Sequence, residues 1–122
     1  MTRISEKLQL KEDASIRVLG APTEINLAVK QTGRKEKGTA LLVFALSKVD
    51  LRVHDSEIVD SAKADRLTWV AYPKAGQKGT DLNRDILARH FEAKGIQGVR
   101  MISIDDVWSA LRFRPMPGRG QT

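Results

Sequence analysis

Short apolar runs along the chain predict five β-strands. The runs are SIRVL (15–19), TALLVFAL (39–46), LTWVAYP (67–73), VRMISI (99–104) and ALRFR (110–114). The second run is almost continuously apolar, which is typical of a strand covered on both faces. The third is rich in aromatic and β-branched residues, and it ends at Pro73.

Helical patterns lie between these runs, at 22–33, 51–62 and 80–91. The third pattern is the clearest, because Thr80 is a suitable N-cap and Asp81 lies in the first turn of the predicted helix. Near the N-terminus, Ile4 and Leu8 predict a further short helix that packs on the sheet.

The alternation of strands and helices predicts an α/β fold with a mostly parallel sheet. Each gap between the first four strands is about 20 residues or longer, which is enough for a crossover helix. We expect a single α/β domain over residues 1–115, with helices on both faces of the sheet. Residues 116–122 are predicted to be a disordered tail.

Composition narrows the class of protein. The chain is 41% hydrophobic and 30% charged, and it has no cysteine, so disulfides and thiolate metal sites are excluded. No apolar run approaches the roughly 20 residues of a membrane helix, and no export signal is evident, so we expect a cytoplasmic protein. The net charge of +6 permits anionic partners, including nucleic acid, and the densest basic stretch is 30–37. Aromatic residues do not interleave with it, which favours a solvated surface.

Topology identifies the face where a ligand is expected. The carboxyl ends of parallel strands share one rim of the sheet, and ligands of open α/β folds bind there. In this chain the predicted rim gathers residues distant in sequence, namely Gly20, Pro22, Ser47, Lys48, the loop 74–80, Asp105 and Asp106.

The loop KAGQKG (74–79) belongs to this rim and has two interpretations. Its glycines and lysines could hold an anion at the start of the third helix. However, Gly79 separates Lys78 from Thr80, so the phosphate-loop pattern does not fit, and Asp81 and Asp85 would repel a phosphate. A capped helix after a turn is the favoured interpretation.

Several chemistries find little support. His54 and His90 lack metal-like spacing, and no glycine-rich dinucleotide loop follows the first strand. Ser109 has no evident base. Asp105 and Asp106 could act as an acid and base pair, although carboxylates that cap a turn are more common. The sequence therefore predicts no metal, no cofactor and no catalytic residue.

Two stretches, LTWVAYPKAGQKGTDLNRD and ISIDDVWSALRFRP, carry a resemblance. Together they are similar to an uncharacterised family of small bacterial proteins, a domain of unknown function, over most of residues 40–115. The family residues implied here are Lys74, Thr80, Asp81, Arg84, Asp85, Asp106, Trp108, Ser109 and Arg112. The family has no assigned activity, so the resemblance implies no reaction.

A looser resemblance is to the C-terminal half of Rossmann-like methyltransferases, which share this order of strands and helices. It implies a three-layer Rossmann-like fold with strand order 1-2-3-5-4, the last strand antiparallel. The glycine-rich loop of those enzymes is missing after the first strand, which argues against methyl transfer.

These observations favour a non-catalytic binding domain for a small anionic ligand or a protein partner at the rim. Trp108 would provide a flat wall. The candidate ligand-binding residues are Lys74, Lys78, Thr80, Asp81, Arg84, Asp106, Trp108, Ser109 and Arg112. The alternatives are a small methyltransferase-like transferase with Asp106 as base, and a nucleic-acid-binding protein that uses the stretch 30–37.

Two further expectations concern the same residues and the edge of the sheet. The motif residues have a purely structural alternative, in which Arg84 pairs with Asp81 or Asp85, and Arg112 pairs with Asp106, to brace loops. The first strand would have one unpaired edge, which residues 1–14 or a second copy of the chain must cover. We therefore expect a homodimer.

Overall fold

A computed structural model describes residues 7–9, 16–21 and 40–116, with the side chains of residues 75, 76 and 78 left out. Its elements, in chain order, are β1 (Ile16–Leu19), β2 (Ala40–Phe44), α1 (Lys48–Lys63), β3 (Thr68–Pro73), a 3-10 helix (Lys74–Gly79), α2 (Arg84–Glu92), β4 (Ile96–Ser103) and β5 (Trp108–Pro115). The first predicted helix (22–33), the basic stretch 30–37 and the tail 117–122 lie outside the described residues.

The five strands form one sheet in the order β1-β2-β3-β5-β4, as the methyltransferase resemblance implied. β1, β2 and β3 are parallel, and β5 runs antiparallel to both β3 and β4. The expectation of a mostly parallel sheet is only partly right. The antiparallel ladders pair six and seven residues, against four in each parallel ladder. Because only residues 104–107 join β4 to β5, the two strands form a hairpin, which is antiparallel.

Side chains alternate between the two faces of the sheet. On β2, Leu41 and Val43 point to what we call the first face, and Leu42 and Phe44 point to the second face. β2 is buried along its whole length, as its continuous apolar sequence predicted.

Both α-helices of the described chain pack on the first face. Leu51 and Ile58 of α1 and Leu87 and Phe91 of α2 are buried there with the β2 side chains. The structure therefore supports an α/β fold with helices on one face. Helices on both faces, and with them the three-layer arrangement, stay a prediction.

The second face buries a cluster around two tryptophans. Leu8 is fully buried on this face, as its predicted role in packing on the sheet requires, whereas Ile4 lies outside the described residues. The indole N–H of Trp69 donates to the carbonyl oxygen of Leu8 at 3.0 Å. A buried N–H without a partner would be costly, so this bond fixes the N-terminal segment against β3.

The start of α2 corrects one sequence prediction. Asn83, not Thr80, is the N-cap, because its side-chain oxygen accepts from the backbone N–H of Ile86 at 2.8 Å. The hydroxyl of Thr80 is used elsewhere, since it donates to the carbonyl oxygen of Leu46 at 2.6 Å. The loop 74–79 therefore does not lead directly into the N-terminus of an α-helix. The interpretation in which this loop holds an anion at the start of the helix is wrong.

No helix in residues 7–9, 16–21 or 40–116 is long and apolar enough to cross a membrane. The homodimer and the cytoplasmic location stay predictions.

Candidate functional site

The carboxyl ends of β2 and β3 are joined by hydrogen bonds between the segments that follow them. Thr80 bonds the carbonyl of Leu46, as described above, and the backbone N–H of Lys48 donates to Asp81 Oδ1 at 2.9 Å. Thr80 Oγ1 also accepts from the N–H of Leu82 at 3.1 Å. Two of the candidate residues, Thr80 and Asp81, thus hold the rim together.

The end of β1 lies at the same rim. Gly20 follows β1 with a φ of +71°, and a Cβ atom there would lie 2.7 Å from the carbonyl oxygen of Phe44. Only glycine adopts this left-handed conformation without strain and also allows the close approach. Gly20 therefore lies directly against the end of β2.

Lys74 connects β3 to the hairpin between β4 and β5. Its backbone N–H donates to the carbonyl of Val107 at 2.7 Å. Its ammonium donates to Ser103 Oγ and to the carbonyl oxygen of Asp105, both at 2.6 Å. The prediction that Lys74 and Asp105 share one rim is therefore confirmed.

The carboxylate of Asp105 does not pair with Lys74. It accepts instead from the backbone N–H groups of Val107 and Trp108, both at 2.8 Å, and so closes the hairpin turn. Asp106 is exposed, and its carbonyl oxygen accepts from Gln77 Nε2 at 3.2 Å. These contacts support the structural interpretation of the Asp105–Asp106 pair over the catalytic one.

A second lysine reaches the same place from the N-terminal segment. Lys7 Nζ donates to the carbonyl oxygen of Ser103 at 3.0 Å. Two ammonium groups, from Lys7 and Lys74, therefore converge on Ser103, and both are bonded to neutral oxygens. Within the described residues neither has a carboxylate within ion-pair distance.

Three hydroxyl-bearing residues, which we call the hydroxyl row, pair across the sheet beside these lysines. Tyr72 of β3 lies opposite Ser109 of β5, and Ser109 lies opposite Ser103 of β4. Paired residues of neighbouring strands share a face, with Cβ atoms about 5 Å apart. Tyr72 and Ser109 are buried and Ser103 is exposed, so the row runs from the core to the surface.

The Tyr72 end of this row lies near the first turn of α2. Burial raises the pKa of the Tyr72 hydroxyl above its ordinary value. The positive charge of Arg84 lowers this pKa, and the negative charge of Asp85 raises it. The hydroxyl is therefore neutral at physiological pH, and it donates to Met101 Sδ at 3.1 Å. Arg84 is exposed and makes no ion pair with Asp81 or Asp85 in the part of the chain described.

Trp108 differs from its predicted role. It is 1% exposed and packs edge-on against Phe44, with ring centroids 5.1 Å apart and an interplanar angle of 77°. The prediction that Trp108 forms a flat wall open to a ligand is therefore wrong. The first residue of β5 points into the second face because strand alternation places it with Ala110, on the buried side.

Arg112 also lies away from the rim. It is four residues along β5 from Trp108, roughly 14 Å at the usual rise per residue. It pairs in register with Trp69, near the amino end of β3, and its Nη1 donates to Gln9 Oε1 at 2.6 Å. Placing Arg112 at the rim, or in an ion pair with Asp106, was wrong because β5 is antiparallel and leads away from it.

The site thus contains some predicted residues and some that the sequence did not reveal. Lys74, Thr80, Asp81 and Asp106 lie at the rim, while the side chain of Lys78 is outside the description. Ser109 lies in the hydroxyl row, with Arg84 near its Tyr72 end. The residues that were missed are Lys7, Tyr72 and Ser103. Only the strand register could have found them, since Tyr72 and Ser103 each lie at the last or next-to-last position of a strand.

The described residues bring no three histidine, aspartate or glutamate side chains together as a metal site. His90 is half-buried, and its Nε2 lies 2.8 Å from Asp55 Oδ1, with Lys94 Nζ 3.4 Å from Oδ2. This contact links α1 to α2 and gives a hydrogen-bond partner to Asp55, which lies between the buried Leu51 and Ile58 of α1.

No family model, curated protein or solved structure matches this chain. The resemblances to the uncharacterised bacterial family and to Rossmann-like methyltransferases stay predictions.

Proposed function

We propose that this domain binds a small anionic ligand at the carboxyl rim of the sheet, without catalysing a reaction on it. The observation that carries the proposal is the convergence of the Lys7 and Lys74 ammonium groups on Ser103 with only neutral oxygens as partners. Two like charges that meet at one residue repel each other, and an anion between them removes that repulsion.

The lysines have donors to spare. An ammonium has three N–H groups, and Lys74 uses two of them on Ser103 and Asp105. Lys7 uses one on the Ser103 carbonyl. Ser103 is exposed and contacts both lysines, Lys74 through its hydroxyl and Lys7 through its carbonyl. A carboxylate or phosphate oxygen at this position would receive charge-assisted hydrogen bonds, which are about twice as strong as neutral ones.

The charges nearby orient such a ligand. Asp81 is already bonded to the N–H of Lys48, whereas Asp85 acts on Tyr72 at the other end of the hydroxyl row. The negative group of the ligand therefore belongs at the Ser103 end, beside the lysines.

A protein segment with an acidic end is the second candidate for this rim. Leu46 is 42% exposed there, and Val49 and Val53 on the outer side of α1 are 65% and 71% exposed. Exposed apolar residues one helical turn apart are typical of a protein contact. Both candidates place a negative charge at Lys7 and Lys74.

The test uses three matched substitutions, each replacing a lysine by methionine. Calorimetric titrations with acetate, citrate, glutamate and inorganic phosphate would first identify a binding anion. Lys74→Met and Lys7→Met should each weaken it about tenfold or more, the loss expected when one charge-assisted bond is removed. Lys63→Met, at the far end of α1, should leave the affinity unchanged.

Binding rather than melting temperature is the appropriate measurement. Lys74 also ties β3 to the hairpin, so Lys74→Met lowers the stability of the free protein as well. If Lys63→Met weakened anion binding equally, the effect of the lysines would come from the overall charge of the protein and not from a site at the rim. If no anion of the panel binds, but an acidic apolar peptide binds and Val53→Ser weakens it, the protein-partner candidate replaces the first.

A further inference from the structure

Two arginines face each other across the second face of the sheet, away from the rim. Arg100 of β4 and Arg112 of β5 are a direct register pair in an antiparallel ladder. Directly paired side chains lie on the same face with Cβ atoms about 5 Å apart, and like charges in this position destabilise a sheet. The pair therefore has an unfavourable electrostatic energy in the free protein.

Nothing in the described part of the chain neutralises this pair. Arg112 gives one hydrogen bond to the neutral amide of Gln9, and its Nε is buried without any hydrogen-bond partner. Arg100 is exposed, and neither arginine has a carboxylate within ion-pair distance among these residues. Arg114, two residues along β5, is the one that reaches a carboxylate, Asp65, at 3.3 Å.

The titration of Arg112 agrees with this geometry. Burial lowers the pKa of the Arg112 guanidinium below its ordinary value, and the charge of Arg114 adds to this. Asp65 acts in the opposite sense, and Arg100 lowers the same pKa. The surroundings of Arg112 are thus unfavourable to its positive charge, and a nearby anion would offset this.

We propose that Arg100 and Arg112 together bind a phosphate dianion on the second face of the sheet. Guanidinium groups bind phosphate through pairs of parallel N–H donors, and the Nε edge of Arg112 is the one that Gln9 leaves unused. This Nε edge is buried in the free protein although the residue as a whole is only partly buried, so phosphate binding requires the guanidinium to turn it outward. Two positive charges match a phosphomonoester or inorganic phosphate better than a phosphodiester, which carries a single charge.

This site is separate from the one at the rim. Arg100 lies three residues before Ser103 on β4, roughly 10 Å along the strand, and on the opposite face of the sheet. The two proposals therefore succeed or fail independently. Lys74→Met should leave unchanged the part of phosphate binding that Arg100→Gln removes, even where phosphate also binds at the rim.

Isothermal titration with inorganic phosphate, methyl phosphate, dimethyl phosphate and a single-stranded oligonucleotide tests this inference. We expect the two dianions to bind the parent protein. Arg100→Gln and Arg112→Gln should each weaken this binding about tenfold or more. Arg112→Lys should bind little better than Arg112→Gln, because lysine keeps the charge but lacks the paired N–H donors of the guanidinium. Arg52→Gln removes an exposed arginine of α1 and should have no effect.

A second measurement does not depend on the ligand. In phosphate-free buffer Arg100→Gln should be at least as stable to urea as the parent, since it removes the repulsion, and phosphate should stabilise the parent only. A marked loss of stability in Arg100→Gln without phosphate would contradict the repulsion.

Three outcomes would overturn the proposal. One is absence of heat with both dianions. Another is equal weakening by Arg52→Gln. The third is tighter binding of dimethyl phosphate or the oligonucleotide than of methyl phosphate, which would assign the arginines to a nucleic-acid backbone.

Discussion

Replacing Trp108 by alanine tests whether this residue belongs to the core or to a ligand site. The side chain is 1% exposed and packs edge-on against Phe44 in the cluster on the second face. Truncation of a buried tryptophan to alanine costs about 3–5 kcal/mol, of which the aromatic contact with Phe44 contributes about 0.5–1.5 kcal/mol. A domain of this size has about 5–15 kcal/mol of stability, so Trp108→Ala should lose a large part of it.

Urea unfolding followed by circular dichroism provides the measurement, with the free energy obtained by linear extrapolation. Because Trp108→Ala leaves little stability to fit, Trp108→Phe and Phe44→Leu serve as milder variants. Their double-mutant cycle should give a coupling of about 0.5–1.5 kcal/mol. Val53→Ala, at a position 71% exposed, is the control and should change stability by less than about 0.5 kcal/mol.

One result would refute this reasoning. If Trp108→Ala kept the stability of the parent within about 0.5 kcal/mol but lost a ligand of the rim, the side chain would face the ligand and not the core.

Two further predictions follow from the rim. Tyr72 is the only tyrosine, so phenolate absorbance reports it alone; its midpoint should lie above about pH 10 in the folded protein, and Arg84→Gln should raise it further. The pKa of Tyr72 is higher in the folded protein than in the unfolded chain. The stability that neutral Tyr72 contributes is therefore complete below about pH 10 and is lost as the pH rises through the pKa of the folded protein. A titration midpoint at or below that of the urea-unfolded chain would contradict this. Asn83→Ala should lower the free energy of unfolding by about 1 kcal/mol and speed hydrogen exchange of the Ile86 amide. Thr80→Val should leave that amide protected. The reverse pattern would show that Thr80 is the N-cap.

The hydrophobic pattern was sufficient to predict the strands and to predict that distant segments meet at one rim. The apolar run of β2 and the aromatic run of β3 predicted their strands within two residues at each end. Parallel pairing of β1, β2 and β3 then placed the ends of these strands together, and the antiparallel return of β5 brought Asp105 to Lys74. These inferences depend on periodicity and chain direction, which the sequence contains directly.

Side-chain partners were less predictable, because they depend on register and on competition between acceptors. Thr80 looks like an N-cap, yet the carbonyl of Leu46 takes its hydroxyl, and Asn83 three residues later caps the helix. Arg112 follows a rim motif in sequence but lies on a strand that leads away from the rim. Lys7 reaches Ser103 from a segment 96 residues away, which no local pattern indicates.

The position of β5 also has a consequence for synthesis of the chain. β5 is the last strand of the described residues but lies inside the sheet, between β3 and β4. Until residues 108–115 have left the ribosome, β3 and β4 each expose a long unpaired edge and part of their apolar surface. The native pairing of β3 and β4 with β5 therefore forms only after residues 108–115 have been synthesised.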